Sequence, residues 1–291
     1  MAIDYHTLKQ WRFEDQLTTY TARDTILYAL SLGYGEDPLD PAALRFVYER
    51  GLQAIPTLPT VLGAPGAWAA DPRSGITWQR ILHGEHRMVL HRTVPPEGCL
   101  RSRTRIARIV DKGADKGALV ITERSITDES DGSLVATIEH TSFCRADGGL
   151  SQSDEAPPPL PACPDEPEHT RVTLPTLPRA ALLYRLNGDQ NPIHIDPAMA
   201  RGAGFDRPIL HGLCTYGMAA RALVDSCCEH RPERLKSLGL RFAAPFFPGE
   251  TLTVRIWRRA SGTVQFDAMS AERGIAVLTH GNATVEAANE P

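Results

Sequence analysis

The chain has 291 residues, enough for one large domain or two modest ones. It is 42% hydrophobic and 23% charged, an ordinary globular composition. Its 31 Lys and Arg against 35 Asp and Glu leave a formal charge of -4, which excludes a general electrostatic attraction to nucleic acid or to an acidic membrane surface.

No apolar run approaches the length that spans a bilayer. The start, Met1-Ala2-Ile3-Asp4-Tyr5-His6, lacks the pattern of a signal peptide, and the end, Ala288-Asn289-Glu290-Pro291, lacks a Ser-Lys-Leu address. A cytoplasmic protein is expected. Six cysteines stand at positions 99, 144, 163, 214, 227 and 228, with no Cys-x-x-Cys pair and no histidine cluster at metal-ligand spacing. No metal is expected, and the thiols read as packing, the adjacent Cys227 and Cys228 included.

The first predicted element is a helix over Arg23-Asp24-Thr25-Ile26-Leu27-Tyr28-Ala29-Leu30. A Gly-rich acidic turn follows, Gly33-Tyr34-Gly35-Glu36-Asp37-Pro38-Leu39-Asp40. His83-Gly84-Glu85-His86 does not place both imidazoles on one helix face and reads as the start of a strand near the site. Strands are predicted at Leu100–Val110, Ala118–Thr127 and Leu134–Cys144, with a turn signal at Asp131-Gly132. Residues 147–170 are broken by Gly148-Gly149 and six prolines between acids; they cannot sustain helix or sheet and read as a linker that buries little.

Beyond that linker the same plan recurs. A helix over Arg179–Leu186 leads into Gly188-Asp189-Gln190-Asn191-Pro192-Ile193-His194. Gly212–Cys228 is small and apolar on nearly every face, which predicts a helix buried all round, as if a curved sheet wrapped it. Strands follow at Thr251–Trp257, Thr263–Met269 and Ile275–Val285. Short links between successive strands imply antiparallel pairing. The expectation is an α+β chain of two repeats, residues 1–146 and 171–291, each an antiparallel sheet gripping one helix.

The chemistry concentrates in Gly188–His194. Gly188 permits a tight turn, and Pro192 restrains Asn191 before it. A rigid turn can hold an acid, an amide and an imidazole in fixed relation, a device for activating water. Gly-Asp-x-Asn is also ordinary turn chemistry, so the short motif alone decides nothing; the full string in its repeat context favours the functional reading. Next, Arg207-Pro208-Ile209-Leu210-His211-Gly212 precedes the buried helix, where unpaired backbone N–H groups can stabilise an oxyanion. A simple helix start is the competing account there.

The run Tyr184-Arg185-Leu186-Asn187-Gly188-Asp189-Gln190-Asn191-Pro192-Ile193-His194-Ile195-Asp196-Pro197, followed by Arg207–Gly212, resembles the signature of the MaoC-like dehydratases and is most similar to the (R)-specific 2-enoyl-CoA hydratases, or hydratase 2. Tyr20-Thr21-Ala22-Arg23-Asp24, Phe46-Val47-Tyr48-Glu49, Leu58-Pro59-Thr60-Val61-Leu62-Gly63 and Leu82-His83-Gly84-Glu85 resemble the N-terminal part of the two-repeat members. The resemblance thus covers nearly the whole chain outside the linker. Asn187 departs from it, standing where Ser or Thr is usual.

The resemblance implies a double hot-dog fold and reversible hydration of trans-2-enoyl-CoA to (R)-3-hydroxyacyl-CoA, with no cofactor beyond the CoA of the substrate. It implies that Asp189 and His194 activate water, that Asn191 helps hold the site, and that the Gly212 amide takes the thioester oxygen. Glu49 matches an acid that supports function in the two-repeat members. We count Tyr48, Leu58, Pro59, Val61 and Leu62 as candidate walls for the acyl chain, and His211 as a substrate contact. Arg101, Arg103 and Arg105 alternate along one strand and could meet CoA phosphates, but a solvated sheet face is the better account. The first half is expected to have lost the chemistry, with Asp40 standing at the position of His194. A homodimer is expected. A non-catalytic acyl-thioester-binding protein and a hot-dog thioesterase stay open as alternatives.

Overall fold

The computed structural model describes residues 3–259 and 262–287, so the readings of the extreme chain ends lie outside the described residues. The helices are α1 (Tyr5–Lys9), α2 (Ala22–Ser31), α3 (Pro41–Leu44), α4 (Ala180–Tyr184), α5 (Pro197–Gly202) and α6 (Gly212–Cys227). The strands are β1 (Gln16–Tyr20), β2 (Ile81–Leu90), β3 (Gly98–Asp111), β4 (Ala118–Asp128) and β5 (Leu134–Cys144), then β6 (Thr170–Pro175), β7 (Leu235–Phe242), β8 (Thr251–Arg258), β9 (Thr263–Ser270) and β10 (Ile275–Val285).

All ten strands form one sheet in the order β1-β3-β4-β5-β2-β7-β10-β9-β8-β6. From each outer edge inward the two halves run through the same sequence of strands, so the repeat read in the sequence is a repeat of topology. The halves meet at β2 and β7, paired antiparallel from Glu85↔Arg241 to Val89↔Ser237. Across that seam the Glu85 carboxylate binds Arg241 Nη2 at 2.7 Å and Arg87 Nη2 at 2.7 Å. One largely buried acid thus clamps a strand of each half, and the clamp holds the start of β2 against the second half.

Helix α6 is the axis of the core. Met218, Ala219, Ala220, Ala222, Leu223 and Val224 are all buried, as its apolar sequence requires. Gly217 is where the first half approaches: a Cβ there would lie 2.6 Å from Leu32 and 3.0 Å from the Tyr28 hydroxyl. The C-terminal end of α2 therefore packs directly on α6. Arg221 fastens it by donating to the Leu32 carbonyl, and Asn187 donates to Ser31, a cross-half contact that its Asn identity supplies.

Two expectations change. The one-helix-per-half plan is met only in the second half; among the described residues, no helix of α6's length stands in the first half. The chain between α3 and β2 is irregular, because Gly51, Pro56, Pro59, Gly63, Pro65, Gly66, Pro72 and Gly75 never leave room for two uninterrupted turns. The linker, for its part, is not a loose tether. Apart from Thr170, which opens β6, it has no helix or strand, yet it straps the sheet: Asp154 takes Tyr5 Oη, Lys9 Nζ and the Ile109 N–H, while the Pro158, Ala162 and Glu166 carbonyls take Arg87, Gln265 and Trp257. Proline removes donors but leaves carbonyls, and those carbonyls make the strap.

Candidate active site

Local rules build the turn. Gly188, at φ 112°, ends the 3-10 turn Arg185–Asn187 in a left-handed conformation that a side chain would strain. Asp189 Oδ1 then accepts the Asn191 N–H at 3.1 Å, and Asn191 Oδ1 accepts the Ile193 N–H at 3.2 Å. Asn191 thereby caps a 3-10 turn, Pro192–His194, which Pro192 opens. Each polar side chain fixes the backbone two residues on. The last turn residue, His194, is delivered inward and buried, while Asn191 stays at the surface as a cap.

His194 is then held by its ring. Its Nδ1 lies 2.9 Å from the Ile209 carbonyl. A carbonyl only accepts, so Nδ1 carries the proton and Nε2 keeps its lone pair. His211 Nε2 lies 3.2 Å from the Asp189 carbonyl, which fixes the opposite tautomer; its Nδ1 is buried without a protein partner. The two rings stack at 3.7 Å. Donor atoms of Asp189, His194 and His211 all lie within 4.8 Å of one another, a spacing that one water molecule or one small ion can bridge. Burial lowers the pKa of His194, against the opposing pull of the Ile209 carbonyl and of Asp189. Burial also lowers that of His211, and its neighbour His194 adds to the effect. Both rings are therefore neutral at pH 7.

Helix α6 begins beside this cluster, with His211 as its N-cap residue and no side-chain cap bond. Its first N–H groups, Gly212 foremost, have no acceptor within the helix, and the helix dipole favours negative charge there. A Cβ on Gly212 would lie 3.3 Å from both His83 Nδ1 and the Phe242 ring, so glycine keeps that space clear. Behind the cluster, Tyr184 meets His211 at 4.9 Å and Tyr28 at 6.2 Å, and Tyr28 Oη bonds Thr57. An aromatic layer thus separates the cluster from the first half's core.

The structure brings Asp189, His194, His211 and Gly212 together, with Asn191 as their scaffold. The first-half candidates divide into exposed and buried residues. Tyr48 (51% exposed) and the exposed Glu49 stand on a turn whose base is closed by the Gln53 N–H on the Arg45 carbonyl, and they face solvent. Leu58 and Leu62, 1% and 8% exposed, belong to the closed core, with Val61 packed against it. The buried Arg124 seals that stretch by donating to the carbonyls of Pro59, Thr60 and Leu62. In this structure these residues pack in the core. Arg101, Arg103 and Arg105 carry salt bridges to Glu129, Asp15 and Glu123, a solvated face as expected.

Asp40 is also corrected. Its carboxylate accepts the Ala42 N–H and caps α3, as Asp196 accepts the Ala198 N–H and caps α5. Asp37 accepts the Leu39 N–H, as Asn191 accepts that of Ile193. By capping, Asp40 matches Asp196. The first-half turn is two residues shorter between its caps, and the position of His194 is deleted rather than replaced. One residue of the site went unassigned by sequence: His83, which stands in front of Gly212. Its strand was legible; its aim was not.

Comparison with known proteins is consistent with this arrangement. Residues 160–279 match the family described as MaoC like domain, and residues 18–146 match the MFE-2 hydratase 2 N-terminal domain. A 3-hydroxyacyl-thioester dehydratase of Mycobacterium tuberculosis is 39% identical, over 91% of this chain and 91% of that protein. An enoyl-CoA hydratase of the same organism is 38% identical over 82% of this chain and 84% of its own. A peroxisomal enoyl-CoA hydratase 2 of Arabidopsis thaliana is 35% identical over 87% of this chain and 84% of its own. Among solved structures, a MaoC-like dehydratase from Phytophthora capsici superposes with a TM-score of 0.87 at 32% identity, covering 98% of this chain and 100% of that one. More distant neighbours include a double hot-dog protein of M. tuberculosis at 16% identity and a TM-score of 0.54, a likeness of fold alone.

Proposed function

The chain belongs to the MaoC-like dehydratase family in its two-repeat, hydratase 2 form, and from that premise we propose that it adds water reversibly to trans-2-enoyl-CoA, giving (R)-3-hydroxyacyl-CoA. It is a hydro-lyase. The observation that carries the assignment of roles is the cluster of Asp189 and His194 donor atoms beside the open start of α6.

The thioester oxygen sits on the Gly212 N–H. Asp189 and His194 Nε2 hold one water molecule. As its oxygen bonds to C3, a proton passes to the Asp189–His194 pair and negative charge moves to the thioester oxygen, where the helix start favours it. A proton returned to C2 completes the addition, and no group is oxidised or reduced. The reaction needs no cofactor: water and the thioester supply every atom. His211 contributes by holding the Asp189 backbone and the His194 ring, not by transferring a proton. The R configuration comes from the family.

Purified protein is mixed with a chain-length series of trans-2-enoyl-CoA, and loss of enoyl-thioester absorbance is followed. Formation of 3-hydroxyacyl-CoA, unchanged after treatment with a chelator, is expected. Free CoA without hydroxyacyl product would make the chain a thioesterase; binding without turnover would make it an acyl-thioester carrier. Activity lost to the chelator would reassign the cluster to a metal. We further take the enzyme to be a cytoplasmic homodimer. No helix of the described residues is long and apolar enough to cross a membrane, and sedimentation and cell fractionation read both points.

A further inference from the structure

We propose that His83, from the first half of the chain, is a catalytic residue that gives the thioester oxygen its second hydrogen bond, opposite the Gly212 amide; this rests on the hydratase reading above.

Successive side chains alternate faces, so His83 and His86, three residues apart, belong on opposite faces of β2. They share one face. β2 pairs with β5 as His83↔Ser142 and resumes as His86↔His140, so one extra residue sits in β2 between them. This is a β-bulge, a device that re-aims side chains and is common beside active sites. Both rings now meet His140: His83 edge-on at 4.7 Å and His86 Nδ1 at 3.3 Å from His140 Nδ1. The Glu85 clamp to Arg241, inside the bulge, fixes its position against the second half.

The bulge sends His83 to the front of α6. Its Nδ1 lies 3.3 Å from where a Cβ on Gly212 would be. Along a helix, Cα–Cβ bonds lean toward the N-terminus, as the free N–H groups do. The atom nearest that Cβ position therefore lies on the side of α6 toward which its free N–H groups are directed. An oxygen about 2.9 Å from the Gly212 nitrogen can lie within reach of the imidazole as well. The ring packs on His140 and Phe242, and its nitrogens make no hydrogen bond to another described residue. His83 keeps an open face to solvent. The protein atoms crowded around it nonetheless lower its pKa, opposed by Asp189, so it presents a neutral N–H donor. His86 and His140 are in a different situation: His86 is buried, and its contact with the Tyr216 ring at 4.7 Å makes it a support behind His83.

The first half thereby takes part in the site. It has no residue at the position of His194, yet it reaches into the site with one imidazole. Oxyanion stabilisation is then divided between the two halves, and neither is sufficient alone.

The test compares full-length wild type with His83→Phe, which keeps a ring against His140 and Phe242 but has no N–H, and His83→Gln, which keeps a donor. His83→Leu replaces the Phe variant if circular dichroism shows that the latter is misfolded. In hydration of trans-2-enoyl-CoA, kcat is expected to fall on the order of tenfold to a hundredfold in the Phe variant, with recovery in Gln. A second readout needs no turnover. In an Asp189→Asn background, bound trans-cinnamoyl-CoA should absorb at longer wavelength as its carbonyl is polarised, and His83→Phe should reduce that shift. Wild-type kcat in His83→Phe, or equal loss in both variants with the shift intact, would overturn the inference and leave the hydratase reading standing. A wild-type chain that neither shifts nor hydrates the thioester would overturn both.

Discussion

His194 and His211 stack face to face, their ring centroids 3.7 Å apart and their planes 26° from parallel. Opposite tautomers make this possible: one donates through Nδ1 to Ile209, the other through Nε2 to Asp189. Two imidazolium ions could not stay so close, so the pair is stable only while at most one ring is charged.

The stack divides the roles. Asp189→Asn and His194→Gln are expected to keep the fold and to lower the hydration rate on the order of a hundredfold to ten-thousandfold, the range for loss of a general acid or base. His211→Ala should cost less, because that ring positions Asp189 and His194 and carries no proton. Rates for the three variants, each checked by circular dichroism, decide the order; a His211 effect as deep as that of His194 would reverse it.

Protonation should act in one direction. His194, His211 and His86 all have pKa values below the ordinary 6.5, and burial takes His86 to about 3. Below pH 6.5 the unfolded chain binds more protons at these positions than the folded one, so their stability contribution is complete above 6.5 and is lost as pH falls toward the folded values. Tm measured from pH 8 down to 4 should drop through that window. The acid limb of kcat/KM should likewise lie below the ordinary histidine value, since His194 acts in its neutral form. A Tm that rises on acidification, or an acid limb above pH 7, would contradict these assignments.

Gly212→Ala separates helix stability from chemistry. Alanine favours a helix over glycine by about 1 kcal/mol. Its methyl group would nevertheless lie 3.3 Å from His83 Nδ1 and from Phe242, in the space assigned to the thioester oxygen. Turnover is expected to fall about tenfold or more with Tm held within a few degrees. Unimpaired turnover would mean that the oxygen binds elsewhere.

Asp40→Ala tests the single site. As a helix cap, Asp40 should contribute about 1 kcal/mol of stability and nothing to catalysis. Tm should fall slightly with kcat unchanged. Titration with an unreactive acyl-CoA analogue should show one site per chain; two equivalent sites, or turnover lost with Asp40, would restore chemistry to the first half.

How much was legible follows the range of the interactions. Leu134–Cys144 and Ile275–Val285 were bounded correctly from alternation and turn signals, and the buried helix from Gly212 to within one residue of its end. Arg179–Leu186 is less regular: its α-helical part stops at Tyr184 and tightens into a 3-10 turn before Gly188. Matching Asp37-Pro38-Leu39-Asp40 residue by residue to Asn191-Pro192-Ile193-His194 put Asp40 opposite His194, whereas the cap bonds put it opposite Asp196. Counting cannot see a deletion that hydrogen bonds reveal.

The sequence by itself determined the chemistry-bearing turn, because Gly188, Asp189, Asn191 and Pro192 act on backbone groups no more than a few residues away. It determined the strands and the buried helix for the same reason, since periodicity is a local property. Only the tertiary structure decided what stands around that turn. The β2–β7 seam joins residues more than a hundred positions apart, and it carries His83 to Gly212 through a bulge that depends on how β2 registers against β5. Register is set by pairing energies summed over whole strands, so no window of sequence around His83 contains it.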